Sequence, residues 1–131
     1  MKEVLSFLKE NPTFFLATVE GEHPRVRPFG AVCEFEGKLY LVTSNDKPVF
    51  KQILANPKVE LCGLDAEETW VRISATAVHD PRTDPKIKML EDNPLLKRMY
   101  DPGDGKMEVL YLKDAVATFC SFTAPEKVVK F

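Results

Sequence analysis

Little in these 131 residues lends itself to a membrane, a metal or a disulfide. No apolar run approaches the ~20 residues needed to cross a bilayer, and Met1-Lys2-Glu3 opens no secretory leader. Three cysteines, Cys33, Cys62 and Cys120, cannot all pair and show no Cys-x-x-Cys spacing. Their apolar neighbours mark them as reduced interior thiols. A cytoplasmic protein with no membrane attachment is expected. His23 and His79 have no Glu or Cys at ligand spacing, so no metal site is expected. GxGxxG, GxxxxGK and GxSxG are all missing, which removes the usual signals of dinucleotide, P-loop and hydrolase sites. Excess charge is missing too. Lys and Arg total 18 against 20 Asp and Glu, a net charge of −2, and their mixing supplies no field to recruit nucleic acid. Any anion must be held by a local cluster.

What is present reads as one domain over residues 1–131, since 44% of the chain is apolar and can build a single core. Val4, Leu5 and Leu8 recur at helical spacing from Lys2 to Glu10, and Asn11-Pro12 ends the pattern. Phe14 to Val19 reads as a buried strand, followed by turn chemistry from Glu20 to Pro24. Arg25 to Phe35 is expected to be extended, with Glu36-Gly37 turning into a strand from Lys38 to Thr43. These three strands are expected to form a meander. A helix is predicted over Lys47–Ala55, with Val49, Phe50, Ile53 and Leu54 on one stripe and Asn56-Pro57 as its stop. Val59 to Gly63 and Thr69 to His79 follow as strands, rich in β-branched residues. Prolines and charges between Asp80 and Gly105 allow one or two short helices, and Asp101-Pro102-Gly103-Asp104-Gly105, lacking calcium-loop spacing, is a turn. A last strand runs from Glu108 to Thr123, with a possible break at Lys113-Asp114, ahead of a Pro125 tail. Six strands with short connections favour a mainly β, antiparallel barrel over a parallel α/β sheet.

Three constellations carry chemical interest. Arg25 and Arg27, two residues apart on a predicted strand, share a face with Phe29. Paired guanidinium groups beside an aromatic ring suit a phosphate or a flat anion. Alternatively, both are solvated on a half-exposed sheet. Pro28 and Gly30 make this strand irregular where the arginines sit. The second constellation, Thr43-Ser44-Asn45-Asp46-Lys47-Pro48, leads from a strand into a helix, where free N–H groups and the helix dipole favour an anion. Lys47 and Lys51 are one turn apart and can converge on it. Plain capping by Asn45 or Asp46 is the alternative, and the Asp46 carboxylate would compete with a phosphate unless it points away. Third, the lone tryptophan, Trp70, precedes Arg72 on a strand and either lines a ring-shaped ligand or caps the core.

The order of these features resembles the FMN-binding core of the pyridoxamine phosphate oxidase-like split-barrel family, in particular its small nitroimidazole-resistance-like members. Arg27, Gly37, Thr43, Asn56-Pro57 and Val71-Arg72-Ile73 stand at the matching spacings. The resemblance implies a split β-barrel homodimer with FMN in the groove between protomers. It implies that Arg27 touches the phosphate or ribityl chain, that Pro28 and Phe29 lie along the isoalloxazine, and that Val42 and Thr43 touch the cofactor. Trp70 falls where larger oxidases place a flavin-contacting glutamine. The family's phosphate-gripping basic pair falls here on Pro48 and Val49, so Lys47 and Lys51 are expected to substitute. The chain ends at Phe131 without the extension of the vitamin-converting oxidases, so oxidation of pyridoxamine phosphate is not expected. The implied activity is NAD(P)H-dependent reduction of a small acceptor such as a nitroaromatic or quinone. The alternatives are a non-catalytic flavin- or haem-binding electron-transfer module and a barrel without a cofactor. His23, Tyr40, Tyr100 and Tyr111 are candidate proton donors, each also explicable as structural.

Overall fold

A computed structural model describes residues 1–131. Helix α1 (Lys2–Glu10) buries Val4, Leu5 and Leu8, and the Asn11 N–H closes it on the Phe7 carbonyl just ahead of Pro12. Strands β1 (Phe14–Glu20), β2 (His23–Phe29), β3 (Val32–Phe35) and β4 (Lys38–Ser44) precede α2 (Pro48–Ala55). Then come β5 (Lys58–Leu64), β6 (Trp70–Asp80), α3 (Thr83–Asp92), a 3₁₀ turn (Pro94–Arg98), β7 (Met107–Cys120) and β8 (Lys127–Lys130). The structure is mainly β with short helices. All strand pairings are antiparallel, in the order β2-β1-β5-β6-β7-β4-β3, with β8 also on β7.

The expected three-strand meander does not form. Arg25 to Phe35 divides at Gly30-Ala31 into β2 and β3, which lie at opposite ends of the sheet order. Pro24 and Pro28 bring no N–H to β2, which suits it to an edge. Both hairpins, β1–β2 and β3–β4, are local, and Glu36 (φ 51°) and Gly37 (φ 75°) make the second turn with the positive φ pair that a two-residue hairpin needs. The sheet has eight strands where the sequence suggests six, because of this division and because the tail beyond Pro125 pairs as β8. At Lys113-Asp114 the last long strand does not end. It bulges, with Asp114 at φ 52° and a register shift opposite Ser74 and Thr76, and Ala115 exchanges both backbone hydrogen bonds with Phe131.

One cluster of 21 buried residues joins β1 (Phe14, Leu16), β3 (Val32), β4 (Leu39, Leu41), β5, β6 and β7. Distant strands of one sheet can share a core only if the sheet curls, so the sheet wraps round its own inner face. From α1 come Val4, Leu5 and Leu8, and from α2 Val49, Phe50 and Ile53. Burying each of these larger side chains contributes roughly 1.5–3 kcal/mol. On the other side of β3, β4 and β7, α3 covers Cys33, Tyr40, Val42, Met107 and Val109 with Met89 and Leu90. The outer face of β2, β1, β5, β8 and the parts of β6 and β7 on the far side of the bulge from α3 has no such cover. Pro28, Phe15, Cys62, Arg72, Thr118 and Val128 form one cross-strand row there. Val26, Phe15, Leu64 and Val128 are all exposed on it. No helix is long and apolar enough to cross a membrane.

Candidate functional site

Where β2 leaves the sheet edge and the chain crosses to β3, a cleft of about 260 Å³ opens. Arg27, Pro28 and Phe29 of β2 and the Gly30-Ala31 crossover form one side, and Val42 and Thr43 of β4 another. Lys47 and Val49 enter from the start of α2, and Leu96, Met99 and Tyr100 close it from the 3₁₀ turn and the residues after it. Two cations line this cleft and no carboxylate does.

Arg27 is positioned by strand register. It lies opposite Leu16, whose side chain is in the core, so Arg27 also faces inward, and its place on an edge strand lets it reach the seam. Its Nη1 donates to the Leu16 carbonyl at 3.1 Å and to Thr18 Oγ1 at 2.7 Å, and its Nη2 to Gln52 Oε1 at 2.6 Å. All three acceptors are neutral. Burial, then the neighbouring charge of Arg25, lowers its pKa, but an arginine starts so high that it stays charged. Lys47, exposed and free of ion pairs, brings the second charge as the N-cap of α2, whose positive dipole end faces the same cleft.

Six of the sequence-derived candidates therefore converge: Arg27, Pro28, Phe29, Val42, Thr43 and Lys47. The others lie elsewhere. Arg25 shares the Arg27 face but is paired with Glu20 at 3.0 Å. Lys51 lines a separate cleft with Glu20, Gln52 and Asn56, so the two lysines one turn apart do not share a cavity. Ser44 donates to Asp46 Oδ1 at 2.5 Å, and Asn45 Nδ2 donates to the Gly105 carbonyl at 2.8 Å. Asp46 is held by that serine, the chief cause of its lowered pKa, and does not line the cleft. Neither Asn45 nor Asp46 caps α2 through its side chain. Trp70 packs on Phe122, ring centroids 5.2 Å apart, three strands along the sheet from β2.

Of the four candidate proton donors, only Tyr100 lines the cleft. Tyr40 is buried and donates to Asp80 at 2.7 Å, Tyr111 lies against Tyr40, and His23 is exposed at the β1–β2 turn. Thr18 and Gln52, the buried partners of Arg27, escape the sequence reading. The signal for Gln52 was a polar residue inside the apolar stripe of α2. Leu96 and Met99 carry no local signal, because only the return of the chain after α3 brings them to β2.

Residues 1–116 match the family described as pyridoxamine 5'-phosphate oxidase. The chain belongs to that family. A NimC/NimA family protein of Clostridium acetobutylicum has 46% identity to it and a TM-score of 0.97, over 100% of this chain and 92% of the other. At lower identity the fold is shared with a haem-binding protein of Mycobacterium smegmatis (14%, TM-score 0.73, 95% of this chain and 55% of that one). A FAD-binding protein of Mesorhizobium loti shares it too (16%, TM-score 0.60, 92% and 94%). No curated protein sequence matches the chain. Within the pyridoxamine 5'-phosphate oxidase family the fold is a split barrel, and the open, curled sheet of this chain fits it.

Proposed function

We propose that this chain binds FMN in the Arg27–Lys47 cleft and works as a homodimeric NAD(P)H-dependent oxidoreductase on a small acceptor such as a nitroaromatic or quinone. The observation that carries the reading is the pairing of two cations, neither matched to a carboxylate, with walls made mostly of apolar side chains. That donor set fits a flat ring with an anionic tail. When bound, FMN supplies the hydride-transfer chemistry. The chain's own residues bind and orient: Arg27 and Lys47 hold the phosphate, the Thr43 hydroxyl offers a polar contact, and Phe29, Val42, Leu96 and Met99 exclude water. Three free thiols suit a reducing, cytoplasmic compartment.

At about 260 Å³ the cleft is smaller than most sites that enclose a cofactor, roughly 300–1,000 Å³. Pro28 both lines the cleft and stands in the bare outer row beside Phe15, so a second protomer laid on that face would border the cleft, which supports the homodimer. Haem is the second reading, because Met99 and Tyr100 both line the cleft and both side-chain types can ligate haem iron.

The visible spectrum of the purified chain separates these readings. A flavin band is expected, bleaching anaerobically with NADH or NADPH. A Soret band would favour haem, and a colourless protein that leaves the fluorescence of added FMN unchanged would remove the flavin reading. Flavin that neither nucleotide bleaches would point to a carrier.

A further inference from the structure

Gln52 is the polar member of a helix face otherwise made of Val49, Phe50 and Ile53, and it is 7% exposed. Its amide oxygen accepts from Arg27 Nη2 at 2.6 Å and from Thr18 Oγ1 at 2.5 Å, while its amide nitrogen donates to Glu20 Oε2 at 3.2 Å. With both ends committed, the amide has one sensible orientation: oxygen toward the arginine, nitrogen toward the carboxylate. Glu20 is taken up on its other side by Arg25 at 3.0 Å. The carboxylate of this network thus stops one residue short of Arg27, and Gln52 is what separates them.

Resting on the flavin reading above, we infer that Gln52 is a positioning residue that fixes the Arg27 guanidinium while leaving its charge free for the ligand's phosphate. An amide oxygen orients a guanidinium without neutralising it. A carboxylate at the same place would orient it as well but would cancel its charge, and an apolar side chain would free it to swing toward Glu20. Gln52 also ties α2, at whose N-terminus Lys47 stands, to β2, which carries Arg27, so the two elements that bring the cations to the cleft are joined.

The test is the affinity of the full chain for FMN and for riboflavin, which has the same ring and ribityl chain but no phosphate, followed by flavin fluorescence. Gln52→Glu is close to isosteric. It is expected to weaken FMN binding about tenfold or more, the size of one lost charge-assisted contact, while riboflavin binding changes little. A helix merely loosened by the substitution would lower both affinities together, and that result, or an unchanged FMN affinity, overturns the inference. Should Gln52→Glu fail to fold, as judged by circular dichroism, Gln52→Met is used with the same criterion: the FMN-to-riboflavin ratio must fall. If the wild-type chain binds neither flavin, the flavin reading itself fails. If it binds FMN and the ratio is unmoved by substitution, only the role of Gln52 does.

Discussion

Lys47 and Lys51 are equivalent on a helical wheel and differ in space: one lines the cleft with Arg27, the other a separate hollow beside Glu20. Lys47→Ala is therefore expected to raise the FMN dissociation constant about tenfold and Lys51→Ala by less than about twofold, measured by fluorescence titration at fixed salt because exposed charges are screened. Equal effects would place the phosphate between the two clefts. A different residue controls acid stability. Asp80, 5% exposed, accepts from the Tyr40 hydroxyl at 2.7 Å and from Arg82 Nη2 at 2.9 Å, and Arg82 also reaches Glu36. The Arg82 hydrogen bonds foremost, with help from Tyr40, hold the Asp80 carboxyl well below the usual carboxylate range. Because the folded pKa is depressed, its stabilisation is complete above the unfolded value of ~3.9 and is lost as pH falls below that. Asp80→Asn is expected to cost about 1–2 kcal/mol at neutral pH, with Arg82 half exposed. Its melting temperature should then fall less steeply than the wild type's from about pH 5 to pH 2.

Elements differ in how much of their definition is local. Helix α1 matches its sequence bounds because apolar spacing and the Asn11-Pro12 stop act within a few residues. So does the end of α2, where the Asn56 N–H closes on the Gln52 carbonyl ahead of Pro57. Its start moves to Lys47 as N-cap because Asn45 spends its side chain on Gly105, a contact 60 residues distant that no local pattern signals. The division of Arg25–Phe35 and the pairing of β8 are likewise decided by partners far along the chain. Helix α2 holds both the core and Lys47, and Ile53 is its deepest side chain at 2% exposure. Ile53→Ala should lower stability by about 3 kcal/mol through lost burial and a residual cavity, read from urea unfolding. A cost under about 1 kcal/mol would mean that α2 is not seated in the core as described.

The whole molecule presents one face without a natural explanation in an isolated chain. An antiparallel sheet with one side in water normally alternates apolar and polar residues, yet Phe15 (49% exposed), Val26 (67%) and Leu64 (60%) all stand on the outer side. Exposed apolar surface of this kind marks a partner, and a second copy is the proposed one. Phe15→Lys with Val26→Lys is expected to leave the circular dichroism unchanged, since both side chains are exposed, while sedimentation velocity shows a monomer in place of a dimer. FMN affinity should fall with it. A wild-type chain that sediments as a monomer at micromolar concentration would remove the dimer.

Periodicity, proline stops and the Glu36-Gly37 turn by themselves determined that this chain makes short helices and antiparallel strands, because those signals act over one or two turns of backbone. They also put Arg25, Arg27 and Phe29 on one strand face, since side chains alternate whatever the partner strand. Only the tertiary structure decided that the Arg27 charge remains free. The local β1–β2 hairpin set Arg25 against Glu20 five residues away, whereas the packing of α2 on β1 and β2 gave Arg27 the neutral Gln52 as acceptor. The return of the chain after α3 brought Leu96, Met99 and Tyr100 over Arg27 and Lys47. A cleft is made by residues distant in sequence, and its charge depends on which side chains find partners elsewhere.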